Sequence, residues 1–265
     1  MSARPSLSPF GQELRLHRRQ CGLSQLELAL QAETTPRHVS FIETGRSRPG
    51  RDLVLRLAAC MGLQLRDRNK LLVAAGLRPV YAEHELDDDL LRPFLGAVRA
   101  VLDHHDPYPG CALDALGQVK MSNAGFRAFM PGAEELTPEE AMDGFLAPGG
   151  GRDMFENWAE VAWATVDRMR HDLRRTHHPR LAALTERALR HLDGVPRPDT
   201  MAGPSSPVLG LRLRVGDQVI RTFTTVMRFD TAQEVTMSEL RVELIFPMDD
   251  AAATFLRGLT ERSPD

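Results

Sequence analysis

The stretch from Gly22 to Gly50, GLSQLELALQAETTPRHVSFIETGRSRPG, constrains the chain more than any other. Ser24 stands where an N-cap belongs, with Glu27 three residues on in the capping-box position. Leu26, Leu28, Ala29 and Leu30 then give a short helix an apolar side. A second cap, Thr35, precedes Pro36 at the first helical position, where the missing N–H costs nothing. The helix that follows puts Val39 and Ile42 on one side and Arg37, His38 and Ser40 on the other, and Gly45 stops it. Two short helices, each with one buried side, and basic residues projecting from the second, form a helix-turn-helix.

The residues around this motif extend the pattern. SQLELA, TTPRHVSFIETGRSRPG and LVLRLAACMGL together resemble the five-helix DNA-binding domain of the XRE/phage-repressor family over about residues 10–76. HVSFIETGRSRPGRD followed by RNKLLVAAGLRP resembles the MmyB-like transcription regulators within that group. One position departs from the pattern: the turn between the two helices has Glu33 where glycine is common, so it must form without glycine's freedom at positive φ or under strain.

In order, a Ser/Pro-rich arm to Pro9, expected to be mobile, precedes a helix from Phe10 to Gln20. Phe10, Leu14 and either Leu16 or His17 are expected to turn inward, with Arg15, Arg18 and Arg19 outward. After the motif, Asp52 is expected to cap a fourth helix, and a fifth runs from about Leu65 to Ala75, ending at Gly76. This all-α head spans 1–78, GLRPVYAEHELDDD contains a linker at 79–88, and a larger domain fills 89–265. Residues 1–78 contain 13 Arg/Lys against 6 Asp/Glu, a balance of +7, while the rest balances at −10, which together give the overall −3. A basic head on an acidic body fits DNA binding by the head alone.

The helix-turn-helix assigns DNA contacts by geometry. Its second helix enters the major groove N-terminus first, so Arg37 is the leading base reader, with a fork that matches guanine O6/N7. Thr35, Pro36 and Ser40 lie alongside it, facing a phosphate, a thymine methyl or a base edge. Arg46, Arg48 and Arg51 in the following loop read as phosphate contacts, with a solvated surface charge as the alternative for each. Phe41 and Val39 read as packing rather than readout, although the family resemblance puts the Phe41 position on the groove-facing helix. The family resemblance adds Gln25, at the start of the preceding helix, near the DNA backbone or an outer base. A head of this size covers few base pairs, so the expected partner is a double-stranded operator with two-fold symmetry, bound by a homodimer.

The larger domain opens with a helix from Leu90 to about His105, carrying Phe94 on its apolar side. Two short strands at Ala112-Leu113 and Val119–Met121 and a helix capped at Ser122 or Asn123 follow. Asp153 to Thr176 and Arg180 to Leu192 read as helices, and Gly194 to Pro207 as loop. Strands are expected at Val208–Val215, Gln218–Phe229 and Leu240–Phe246, then a last helix from Asp249. The strand–turn–strand–helix opening resembles a PAS domain, and EVTMSELRVELIFPMDD resembles the end of the MmyB-like ligand-binding domain. The whole is thus an all-α helix-turn-helix head followed by an α+β PAS-like domain with an antiparallel sheet.

That resemblance implies a sensor of a small apolar, fatty-acid-like molecule. Met154, Trp158, Ala162 and Met169 recur at helical spacing and are the residues expected to wall such a site, with Phe126, Phe145, Thr224 and Met227 as further candidates. Plain core is the competing reading for each, and a domain that only dimerises or docks a partner protein is the competing function.

Other chemistries find little support. The glycine run at Pro148–Gly151 lacks the P-loop lysine and dinucleotide spacing, and reads as a flexible connection. His104-His105, His171 and His177-His178 have no HExxH or Cys/His framework, and no GxSxG turn occurs, so neither catalysis, a metal nor a resident cofactor is expected. Cys21, Cys60 and Cys111 show no redox or metal spacing. With no apolar run of about 18 residues and no signal design, a cytoplasmic protein without membrane contact is expected.

Overall fold

The computed structural model describes residues 8–176, 178–199 and 208–262. Most of the N-terminal arm, His177 and the last part of the Gly194–Pro207 loop lie outside the described residues. The chain divides into two units, one of 1–83 with 174–177 and 233–235, the other of the remainder. The division falls inside the 79–88 stretch.

The first unit contains five helices: α1 (Pro9–Gln20), α2 (Gln25–Gln31), α3 (Pro36–Glu43), α4 (Arg51–Cys60) and α5 (Leu65–Ala74). Local signals set their ends. Ser24 and Glu27 form a reciprocal capping box at α2, and the Thr35 side chain accepts from the His38 amide at α3. Gly45 and Gly76, at φ 74° and 76°, stop α3 and α5. Glu33 takes φ 51° in the α2–α3 turn and is the sole non-glycine residue at positive φ among the described residues. Phe10, Leu14, Leu28, Val39, Ile42 and Leu57 meet in one core.

Of Leu16 and His17, it is His17 that is buried. Two expectations for the head are corrected. Arg18 turns inward rather than outward, because the buried Glu43 carboxylate draws its guanidinium. The N-cap of α4 is Gly50, and Asp52 lies in the first turn.

Apart from the last turn of α10 and the first residue of α12, the second unit comprises α6 (Arg92–His105), β1 (Gly110–Leu113), β2 (Val119–Ser122), α7 (Ala124–Phe129), α8 (Pro138–Leu146), α9 (Gly151–Met154), α10 (Trp158–Thr176), α11 (Pro179–His191), β3 (Gly210–Val215), β4 (Gln218–Arg228), α12 (Val235–Glu239), β5 (Arg241–Pro247) and α13 (Asp250–Arg262). All strand pairs are antiparallel, in the order β2-β1-β5-β4-β3, with five helices inserted between β2 and β3. This is the α+β, PAS-like arrangement. Side chains alternate across a strand, so Leu213 and its partner Ile220 join the core under α10 and α11, while Val242 faces the opposite core with Val98 and Leu102 of α6.

The segment expected as one helix from Asp153 is two. Phe155 adopts an extended backbone and bridges Leu213, and the Glu156 amide bonds the Arg212 carbonyl at 2.7 Å, so a strand contact interrupts the helix. The glycine run is likewise no loose connection. A Cβ on Gly150 would lie 2.1 Å from the Gly144 carbonyl oxygen and one on Gly151 2.7 Å from that of Phe145, so close backbone approach requires glycine there. Phe94, expected on the apolar side of α6, is exposed.

Candidate nucleic-acid interface and effector site

The head places the expected DNA-contacting residues on one helix and the loop behind it. Val39 and Ile42 anchor α3 in the core, which turns the exposed Thr35, Pro36 and Arg37 and the half-buried Ser40 away from it. Arg46, Arg48 and Arg51 are exposed in the loop and at the start of α4. The first turn of α4 has no side-chain cap bond at Gly50, so its amides are open to an anion. Phe41 differs from the packing role expected of it. Its ring is half-buried, with the Arg37 guanidinium carbon 5.1 Å and that of Arg46 5.8 Å from its centroid.

Gln25 is differently engaged. Its amide Nε2 donates to Glu43 at 2.8 Å, as part of a cluster with Arg18 at 2.6 Å and Arg15 at 3.2 Å. Burial pushes the Glu43 carboxyl up, but hydrogen bonds from Arg18 and Gln25, the Arg18 charge and the Arg15 bond outweigh it and hold the group below its ordinary 4.5. Glu43 thus ties α1, α2 and α3 together. Neither it nor the two-arginine setting of Phe41 was assigned from the sequence, although Arg37 and Phe41 at i and i+4 gave a signal.

In the second unit the eight effector-site candidates divide. Trp158, Ala162 and Met169 lie on the buried side of α10 with Leu146, Phe155, Leu213 and Ile220, and Phe145 packs against them. The Trp158 indole N–H donates to the Phe145 carbonyl at 2.9 Å. Phe126 sits elsewhere, with Cys111 and Leu113, and burial pushes the Cys111 thiol up to about 12. Met154 belongs to α9, not α10, and is 45% exposed. Thr224 and Met227 are three apart on β4, so strand alternation sends them to opposite faces of the sheet. Met227 is paired with Val242 and is 39% exposed, which removes it from the α10 face.

Two shallow concavities can be described, and none of the eight lines either. One lies in the head between Ser8, Phe10, Gly45, Arg48 and Gly76, the other beside α13 at Gln218, Asp250, Phe255 and Arg262. Among the described residues no three His, Cys, Asp or Glu side chains gather to hold a metal ion, and no helix is long and apolar enough to cross a membrane.

Comparison with known families agrees with this division. Residues 9–71 match a helix-turn-helix domain, and residues 96–259 match the MmyB-like transcription regulator ligand binding domain. Comparison with curated proteins finds none that matches the chain.

Proposed function

The chain belongs to the MmyB-like transcription regulators, and from that premise we propose that its head reads an operator through Arg37 while its second unit binds a small apolar, fatty-acid-like effector. It is a DNA-binding transcription regulator, and its two matched domains are those of a regulator and not of an enzyme. The observation that carries the DNA reading is the exposed Arg37 near the N-terminus of α3, with Arg46, Arg48 and Arg51 beyond the helix. A homodimer on a two-fold operator completes the reading.

The effector reading rests on the ligand-binding family match and on α10, which lays Trp158, Ala162 and Met169 against Leu213 and Ile220. An effector entering there must separate α10 from the sheet, and it shifts regulation only if it binds one arrangement of the protein better than the other. Native mass spectrometry of the purified protein, followed by denaturing extraction, tests this directly. The expected result is a stoichiometric acyl or similarly apolar molecule that alters operator binding and is lost or weakened in Trp158→Ala, whose effector-free form still binds the operator. Equal loss of effector response and DNA binding would make Trp158 core alone.

A second reading has its own support. Trp158, Ala162 and Met169 are packed among apolar neighbours. A filled core of this kind suits a domain that dimerises or docks a partner protein. A protein that remains free of any small molecule, with unchanged operator binding across a panel of acyl compounds, would favour it.

A further inference from the structure

Phe41 occupies a position that packing does not explain. Val39 and Ile42 of the same helix are fully buried and fill the core, whereas the Phe41 ring stays half-buried beside Arg37. Two guanidiniums lie over that ring, Arg37 from one turn earlier on α3 and Arg46 from the following loop, at 5.1 and 5.8 Å. The Phe41 backbone organises the same loop: its carbonyl accepts from the Arg46 amide at 2.8 Å, the Ser47 amide at 3.2 Å and the Thr44 hydroxyl at 3.3 Å. One residue therefore positions both the base-reading arginine and a phosphate-contacting arginine.

We infer that Phe41 is a specificity-determining residue whose ring meets the C5-methyl of a thymine on the base pair beside the guanine read by Arg37. Thymine alone among the bases offers an apolar group in the major groove, and an aromatic or aliphatic side chain is what recognises it. Beside Phe41, the exposed groove-side residues of α3 are polar or charged except Pro36. A ring that carries two arginines over it is restricted to one site in the groove, and restricts them in turn, so guanine and thymine are read as neighbours. This inference rests on Arg37 being a base reader.

The test begins with an operator selected from random duplexes by the full-length protein, in which each thymine is then replaced by deoxyuridine. This removes one methyl group and leaves the protein untouched. At one thymine per half-site the wild type should bind about fourfold more weakly, the ratio that corresponds to burying one methyl group. That penalty should vanish in Phe41→Ala, with folding checked by thermal melting, and largely persist in Phe41→Leu, whose aliphatic side chain still offers the methyl an apolar surface. Deoxyuridine without effect at every position, or a penalty undiminished in Phe41→Ala, as contact through Pro36 would give, overturns the inference. Arg37→Ala separates this from the underlying reading: unchanged affinity and preference would remove Arg37 as base reader, whereas a loss with no methyl effect would remove only Phe41.

Discussion

At the scale of the single residue, Glu43 couples three helices of the head through one carboxylate. Its carboxylate is fully buried and receives Arg18 through two nitrogens, at 2.6 and 3.0 Å, along with Gln25 and Arg15. Arg18 also donates to the Leu23 carbonyl at 2.8 Å, so the guanidinium has partners on both sides. Removing one member of a buried pair leaves the other charge uncompensated, so Glu43→Ala is expected to cost about 3–5 kcal/mol. The same group makes the head sensitive to acid. Its carboxyl is held below the ordinary 4.5 in the folded state, so its contribution is present above that value and is lost as pH falls through the lower folded one. Hydrogen exchange of the α1 and α3 amides should therefore accelerate as pH drops below 4.5, after correction for the intrinsic rate. In Glu43→Gln the head should be weaker at pH 7 and its pH dependence flatter. An identical dependence in wild type and Glu43→Gln would place the titrating group elsewhere.

At the scale of the element, the turn joining α2 to α3 stores strain that one substitution releases. Glu33 holds φ 51°, while the Thr34 amide closes back to the Ala29 carbonyl at 2.9 Å. A left-handed conformation costs an L-residue about 1–2 kcal/mol, and glycine's larger unfolded-state freedom returns part of that. Glu33→Gly is therefore expected to stabilise the head by about 0.5–1 kcal/mol, read as a shift in its urea midpoint at constant slope. Destabilisation would show that the Glu33 side chain does something the turn needs. This strain was legible in the sequence, because the motif specified a tight turn and Glu33 stood in it. The caps at Ser24 and Thr35 and the glycine stops at Gly45 and Gly76 were legible for the same reason: each depends on a few adjacent residues. What was not legible depends on contacts distant in sequence. The break at Phe155 needs Leu213 as its bridge partner, and the inward turn of Arg18 needs Glu43, 25 residues on. The effector site suffered most, since helical spacing placed Trp158, Ala162 and Met169 together correctly but could not show that Phe126 joins another cluster. Thr224 and Met227 could have been separated from strand period alone.

At the scale of the whole molecule, charge is partitioned between a head balanced at +7 over residues 1–78 and a remainder at −10. DNA repels the acidic part and attracts the head, so affinity depends on which arginines are free to meet phosphate. Arg15 and Arg18 are committed to Glu43. Arg46, Arg48 and Arg51 are exposed, and among the described residues none of them has an ion-pair partner. Each phosphate they neutralise releases condensed counterions, so log affinity should fall linearly with log salt, by a slope of about 0.9 per contact. Replacing any one of the three with alanine should weaken binding to operator and to unrelated duplex alike and lower the slope by about 0.9 per protomer. Arg37→Ala should behave oppositely, losing preference for operator over unrelated duplex more than slope, because a base contact displaces no phosphate counterion. Titrations at four or five salt concentrations with both duplexes separate the two classes. A slope unchanged by all three loop substitutions would return those arginines to solvated surface charge, and the amides at the start of α4 would then be the next residues to test for the phosphate contact.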